Sequence, residues 1–249
     1  MWIGGALPSA VAQSIYTTGF EAPALLAGFP LAGQDGWVAG QGPVAFFLSD
    51  NAAIITAEKK GGQTVRVDGA ALVHQDIING GTGGYYDAIG SYRHAVDYDT
   101  GGTQTVRISA DVRLDGRATP RSNFFSASIV AVAYNTEGGS EGVGELAISS
   151  DGHVYGSSGQ DLVHAFLTSA HVAPGRSHNL AIEVDFAKRT YSFYVDGSWL
   201  GTLDFEPFEP SGVLRRGSIV VYAAPDTKKD KKAEHAANFD NFAIEVVSE

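Results

Sequence analysis

The amino-acid sequence predicts an all-β protein built as a sandwich of two packed antiparallel sheets. Short segments alternate apolar and polar residues with a period of two, which is the pattern of a strand buried on one face. Gly and Pro, with 31 and 9 residues among 249, divide these segments at short intervals, as the turns of a many-stranded fold require. The sequence contains no convincing long amphipathic helical pattern, so two packed sheets are the simplest arrangement for more than ten strands.

The alternating pattern is clearest in two parts of the chain. In residues 104–114, apolar side chains at every second position share one face of a strand whose other face is polar. Residues 180–203 predict a three-strand meander, because Asp196-Gly197 separates two alternating runs and suits the positive φ angles of a two-residue hairpin turn. Further strands are expected in residues 63–67, 128–134, 145–149, 217–223 and 239–247.

Composition and charge narrow the classes of partner. Hydrophobic residues make up 44% of the chain and charged residues 18%, which is a globular composition. The net charge of −11 disfavours nucleic acid and anionic lipid head groups, and it disfavours a strongly anionic glycan unless a local basic groove compensates. The absence of Cys excludes disulfides, thiolate metal sites and Cys nucleophiles. The oligomeric state stays open.

The N-terminal residues suggest export. Residues 1–12 form a short apolar stretch that ends in Ala10-Val11-Ala12, a small-x-small site of the kind that signal peptidase cuts. A positively charged start is missing, so we interpret residues 1–12 as a truncated signal peptide and residues 13–249 as a single domain; the alternative is an ordinary N-terminal strand or tail. No other apolar stretch is long enough to span a bilayer, so membrane insertion is not expected.

Several motifs resemble a known superfamily. The segments TTGFEAP (17–23) and GQDGW (33–37) resemble the opening of bacterial exported domains with the concanavalin A-like lectin/glucanase fold. The segments DGHVYG (151–156) and YSFYVDGSWLGTL (191–203) resemble the laminin-G-like pattern of this superfamily, and FDNFAIE (239–245) resembles its closing strand. The resemblance covers nearly the whole chain and implies a two-sheet jelly roll. Its motifs are structural, so they specify the fold better than the function.

The resemblance implies a glycan or polysaccharide as the partner, outside the cell or at its surface. Lectins, glycan-binding modules, glycoside hydrolases, polysaccharide lyases and adhesion domains all use this fold, and we expect a lectin-like carbohydrate-binding domain. The alternative is an enzyme that degrades polysaccharides, by lyase β-elimination on a uronic acid polymer before glycoside hydrolysis. A structural surface protein without a sugar site is the third reading.

Aromatic and imidazole rings are the candidates for contacts to a sugar, because planar amphipathic side chains can stack on its ring. The ligand-binding residues expected on this basis are Tyr85, Tyr86, Tyr92, His94 and Tyr134.

The lyase alternative needs a Tyr or His base beside a group that neutralises the substrate carboxylate. The residue types occur in His74, Tyr92, Arg93 and His94. In a strand, Tyr92 and His94 share one face, whereas Arg93 points to the other unless a bulge turns it.

A glycosidase pair is not expected at Glu183 and Asp185. Laminarinase-like hydrolases of this fold carry a Glu-x-Asp followed three residues later by a second Glu, and here Lys188 occupies that position. We therefore predict that Glu183 lies on a solvent-facing strand and that Asp185 caps a turn.

The resemblance also implies a structural Ca²⁺. In carbohydrate-binding jelly rolls the first and last strands are neighbours, and carboxylates there hold the ion. Glu21 and Asp240 match these places, so we expect residues 15–20 to pair with residues 239–247 and Ca²⁺ to bind nearby. The alternative is a pair of surface carboxylates. No two of the seven His have a compact metal-ligand spacing, so no zinc site is predicted.

Overall fold

Fifteen β-strands make up nearly all the regular structure in the residues that the computed structural model describes. Those residues are 13–39, 52–58, 61–69, 71–72, 88–116, 125–135, 141–159, 165–205, 210–223 and 235–247. The strands are β1 (Gln13–Thr18), β2 (Trp37–Ala39), β3 (Ala53–Ala57), β4 (Gln63–Asp68), β5 (Ala88–Asp99), β6 (Thr105–Asp115), β7 (Phe125–Asn135), β8 (Glu141–Ser149), β9 (His153–Gly159), β10 (Ala165–His171), β11 (Ser177–Asp185), β12 (Thr190–Val195), β13 (Ser198–Asp204), β14 (Pro210–Ala223) and β15 (Ala236–Val247).

The strands form two antiparallel sheets, which confirms the predicted sandwich. The eight-stranded sheet has the order β13-β12-β11-β6-β15-β4-β3, and β1 pairs with β15 beside this path. The seven-stranded sheet has the order β10-β9-β8-β7-β14-β5-β2. The strongly alternating β6 lies between β11 and β15, with every second side chain buried, as its period-two pattern requires.

The predicted pairing of the first and last strands is confirmed. Strand β1 runs antiparallel to β15, with Tyr16 opposite Ile244 and Thr18 opposite Phe242. Strand β4 pairs with residues 236–239 at the other end of β15, so one long strand holds two shorter ones along the same edge.

The predicted meander is also confirmed. Strands β11, β12 and β13 pair in succession, and Val195 is opposite Ser198 across the turn. Asp196 and Gly197 have φ angles of 49° and 75°, so both central residues take the left-handed conformation of a two-residue hairpin turn.

The two sheets pack closely where large rings meet glycines. Tyr191 on β12 is fully buried and faces Gly144 on β8, where an added Cβ would lie 2.5 Å from the ring. Phe193 faces Gly156 on β9 in the same way, with 3.0 Å to an added Cβ. The absence of a side chain at these glycines makes room for the rings of the opposite sheet, and this fixes how the sheets approach each other.

The sequence predicts no membrane insertion and a signal peptide in residues 1–12. No helix in the described parts of the chain is long and apolar enough to cross a membrane. Residues 1–12, interpreted as a signal peptide, lie outside the described residues, so that interpretation stays a prediction.

We expect Gly144→Ala to destabilise the protein by about 2 kcal/mol, because the new methyl group would push into the Tyr191 ring in a packed core. Denaturant unfolding with a two-state fit measures this difference. Gly19→Ala is the matched control, since an added Cβ there meets nothing closer than 3.6 Å. Equal unfolding midpoints for both variants would contradict the packing described for Tyr191.

Candidate functional site

The outer face of the seven-stranded sheet carries buried polar side chains beside apolar ones. Ile129, Leu146 and Ile219 are fully buried in the core between the sheets, so the residues that alternate with them point away from the other sheet. The strand register places these outward residues side by side on neighbouring strands. The polar members of this face are Arg93, Ser126, Ser128, Glu145, Ser149, Tyr155, Ser157, Arg216, Ser218 and Tyr222.

A carboxyl group lies at the centre of this face. Glu145 on β8 is only 5% exposed, and its Oε1 accepts a hydrogen bond of 2.5 Å from the Ser128 hydroxyl on β7. The Tyr222 hydroxyl on β14 also hydrogen-bonds this carboxyl. Burial raises the pKa of Glu145, and the two hydrogen bonds offset only part of that effect. The carboxyl therefore keeps its proton to a higher pH than an exposed Glu does.

Two tyrosines extend the cluster. Burial and the neighbouring Glu145 carboxyl raise the pKa of Tyr222 well above its usual value, and Tyr155 on β9 is close enough to contribute. Both rings are half-buried. Tyr222 also packs with Ile89 against a small apolar cluster on the same face, formed by Val130, Val132, Val143 and Val220. We call Ser128, Glu145, Tyr155 and Tyr222 the polar cluster; it combines hydrogen-bonding groups with apolar surface.

The chemistry of the polar cluster is mainly hydrogen bonding. Retaining glycosidases need two carboxyl groups about 5 Å apart. Among the described side chains of β7, β8, β9 and β14, Glu145 is the only carboxyl group. A tyrosine base would need a lowered pKa, whereas that of Tyr222 is raised. The arrangement can donate and accept hydrogen bonds, and burial makes ionisation of its carboxyl group less favourable.

The alternation predicted at residues 92–94 is confirmed, and it separates the expected lyase residues. Tyr92 pairs with Ile219 and is fully buried in the core, so its ring offers no free face for a sugar; this corrects its assignment to a binding surface. His94 points to the same side as Tyr92. Arg93 pairs with Ser218 and points to the outer face, away from both. The three side chains therefore do not converge on one site.

His94 holds three segments together instead of facing outward. Its ring stacks on Tyr16, with 3.7 Å between the centroids, and its Nε2–H donates to the Asp35 carbonyl at 3.0 Å. Tyr16 in turn donates to the Asp35 carboxylate and accepts from the Trp37 indole. The Nδ1 atom of His94 is buried without a hydrogen-bond partner, and burial lowers the pKa of this ring. These contacts assign His94 to internal packing.

The other expected binding residues cannot be placed. His74, Tyr85 and Tyr86 lie outside the described residues. Tyr134 is part of β7, but its side chain lies outside the described part of the chain. Their roles stay predictions.

Glu183 and Asp185 make internal contacts, in keeping with their predicted structural roles. Glu183 pairs with Arg107 at 3.1 Å and accepts from the Tyr194 hydroxyl at 2.8 Å. Asp185 accepts from both the backbone N–H and the ammonium group of Lys188, each at 2.8 Å, and so caps the turn between β11 and β12.

The strand pairing brings Glu21 and Asp240 into one acidic region. The pKa of Asp240 is raised, first by burial and then by the negative charges of Asp111, Glu21 and Glu58. Glu21 accepts from the backbone N–H of Gln63 at 2.8 Å. In the described residues, no group of three or more His, Cys, Asp or Glu has an arrangement that could hold a metal ion.

Comparisons with known proteins identify the fold. No family model and no curated protein matches the sequence. An endo-1,3-β-glucanase from Streptomyces sioyaensis matches the structure at a TM-score of 0.60 and 11% identity, over 99% of this chain and 100% of that one. The Emp47p carbohydrate recognition domain matches at 0.54 and 10% identity, over 98% and 100%. Alginate lyase A1-II′, of polysaccharide lyase family 7, matches at 0.52 and 11% identity, over 78% and 84%.

These similarities place the chain in the concanavalin A-like jelly-roll fold that the sequence motifs resemble. At these identities they establish the fold alone. A sialidase is also similar, at a TM-score of 0.49, but the chain spans only 17% of that protein.

The raised pKa of Glu145 predicts a pH-dependent effect of Glu145→Gln. Between the unfolded and folded pKa values the folded protein binds more protons than the unfolded one, so this carboxyl lowers stability as pH rises through that window. Gln cannot ionise, and its amide oxygen can still accept from Ser128. The melting temperature of the variant relative to wild type should therefore rise as the pH increases above the ordinary Glu pKa of about 4.

Thermal unfolding across this range measures the trend. Glu245→Gln is the control, because Glu245 lies on the other sheet and is only half-buried. A relative stability of the Glu145 variant that is flat or falls with pH would show that folding does not raise the pKa of this carboxyl.

Proposed function

We propose that this protein is an extracellular carbohydrate-binding domain whose glycan site is the outer face of the seven-stranded sheet, around the polar cluster. The observation that carries the proposal is the buried, hydrogen-bonded carboxyl of Glu145, whose pKa is raised by burial, beside the half-buried rings of Tyr155 and Tyr222. The export of the chain rests on the small-x-small motif at Ala10-Val11-Ala12.

The chemistry of the face suits a sugar. A pyranose presents an apolar C–H face and a rim of hydroxyl groups, and it binds where aromatic rings lie beside hydrogen-bonding groups. The polar cluster combines the half-buried rings of Tyr155 and Tyr222 with the hydrogen-bonded, buried hydroxyl and carboxyl groups of Ser128 and Glu145. The net charge of −11 favours a neutral glycan over an anionic one. The similar folds of a carbohydrate recognition domain and a glucanase support carbohydrate as the ligand class.

Polysaccharide cleavage is the second candidate function. A carboxyl that keeps its proton above the usual pKa is what a general acid requires, and Glu145 meets this condition. Binding is favoured because the described side chains of β7, β8, β9 and β14 supply no second carboxyl group, and because the pKa of Tyr222 is raised and not lowered. A reducing-end assay with Glu145→Gln distinguishes the two functions, since the variant would lose turnover in a hydrolase.

Tyr155→Ala should weaken binding to a neutral polysaccharide roughly fivefold, the value of about 1 kcal/mol expected for one aromatic contact. Affinity electrophoresis with β-1,3-glucan, xylan and mannan measures the change. Phe29→Ala is the matched control, because Phe29 is 58% exposed but lies in the loop after β1. Unchanged affinity in the Tyr155 variant, with binding intact in the wild type, would place the site elsewhere.

A structural Ca²⁺ near Glu21 and Asp240 is also part of the proposal. The acidic groups around Asp240 repel one another, and this repulsion contributes to the raised pKa of Asp240. A bound cation would relieve the repulsion. The Oε1 atom of Gln63 is buried without a hydrogen-bond partner, while the backbone N–H of the same residue binds Glu21. Carboxylate, amide and carbonyl oxygens are the ligands that Ca²⁺ prefers.

Excess chelator should therefore lower the melting temperature, and added Ca²⁺ should restore it, because an ion that binds only the folded state stabilises it by mass action. Asp240→Asn should melt at the same temperature with and without chelator. A wild-type melting curve that chelator does not change, together with no metal detected in the purified protein, would contradict the Ca²⁺ site.

A further inference from the structure

Among the described residues, one tryptophan is exposed on the outer face of the eight-stranded sheet. Trp199 lies on the edge strand β13 and is 62% exposed. It is opposite Tyr194 of β12, next to a bulge in the pairing of these two strands. Tyr194 points outward, because its neighbours Phe193 and Val195 are buried in the core. The two aromatic side chains therefore share one outward face.

Hydrogen bonds hold the exposed indole in place. The Nε1–H group of Trp199 donates to the Thr202 hydroxyl at 3.3 Å, and that hydroxyl is hydrogen-bonded to Ser192 at 2.8 Å. The indole has only this one donor. Its remaining capacity for interaction is the face of the ring, which is already oriented and loses little side-chain entropy when a ligand binds.

The charged groups around the rings compensate one another. The Arg107 guanidinium lies 5.2 Å from the centre of the Tyr194 ring and pairs with Glu183 at 3.1 Å. The Tyr194 hydroxyl donates to Glu183 at 2.8 Å. Burial, followed by the Glu183 carboxylate, raises the pKa of Tyr194 to about 12, so the hydroxyl stays protonated at neutral pH. The charges of Arg107 and Glu183 beside the two rings therefore offset each other.

We propose that Trp199 and Tyr194, with Ser192, Thr202, Arg107 and Glu183, form a second glycan-binding surface that stacks on one ring of a neutral polysaccharide. The C–H face of a pyranose fits the exposed indole. The sugar hydroxyls can reach the Ser192 and Thr202 hydroxyls and the Arg107–Glu183 pair. We call these six residues the Trp199 platform. The assignment of a neutral glycan as the ligand rests on the proposed function. The location of the platform on the opposite sheet is a separate observation.

The surroundings of Trp199 favour a sugar over a protein partner. A stable protein interface needs a contiguous surface of several hundred Å² or more on each partner. The other large apolar side chains that are exposed among the described residues lie on the loop after β1, on β2 or on β3, and β3 is at the opposite edge of the sheet. One exposed ring amid hydroxyls and paired charges has the size of a monosaccharide.

Trp199→Ala should bind β-1,3-glucan, xylan or mannan about three- to tenfold more weakly than wild type, the range for loss of one stacking contact. Trp199→Phe should recover most of the affinity. Intrinsic fluorescence gives a separate readout, because covering an exposed indole shifts its emission to shorter wavelength. The chain has three Trp: Trp37 is fully buried, and Trp2 is replaced by Phe in both proteins that are compared, so the Trp199→Phe variant should lose the shift while it still binds.

Matched variants distinguish this surface from the polar cluster. Phe29→Ala is the control for removal of an exposed ring, and Tyr155→Ala reports on the other face. A loss in the Trp199 variant alone supports the platform even if the polar cluster is not a binding site. Wild-type affinity and an unchanged fluorescence shift in the Trp199 variants would overturn the proposal. A changed oligomeric state with unchanged polysaccharide affinity would also overturn it, because the ring would then contact another protein molecule.

Discussion

Close contact between the two sheets is the constraint on which the rest of the structure depends. Tyr191 and Phe193 of one sheet pack against Gly144 and Gly156 of the other, so these glycines must point into the core. Side chains alternate along a strand, and the neighbours of an inward glycine therefore point outward. The register that packs Tyr191 also places Glu145 on the outer face. Core packing and the candidate site are thus two consequences of one register.

The buried carboxyl at the candidate site is costly for the fold. Removing a charged carboxylate from water is unfavourable, so the group responds by keeping its proton, and Ser128 and Tyr222 provide hydrogen bonds to it. An apolar residue would fill the same position without this cost. Carboxyl groups with strongly perturbed pKa values occur more often at functional sites than elsewhere. The position of the polar cluster on a sheet face agrees with such a site.

Sequence patterns predicted many of the strands and the hairpin turn at Asp196-Gly197, because period and turn chemistry are local. The pairing of the first and last strands was expected from the resemblance of both terminal motifs to the jelly-roll superfamily. The sequence patterns also predicted that Arg93 would point away from Tyr92 and His94. They could not show which of those faces meets the core, since that depends on the partner sheet. The polar cluster was missed for the same reason. Glu145 is the one acidic side chain in a predicted apolar strand, and its partners come from strands distant along the chain.

The two proposed surfaces face in opposite directions, which limits what they can do together. The outer faces of a sandwich are separated by both sheets and by a core about 10 Å thick, so one sugar unit cannot touch both. The polar cluster and the Trp199 platform would therefore engage separate parts of a polysaccharide or separate chains. Engagement at two sites raises the apparent affinity for a polymer above that for a short oligosaccharide, provided that the chain can reach both. Such an arrangement holds material together, and it is more useful to a binding or adhesion domain than to an enzyme that must release a cleaved product.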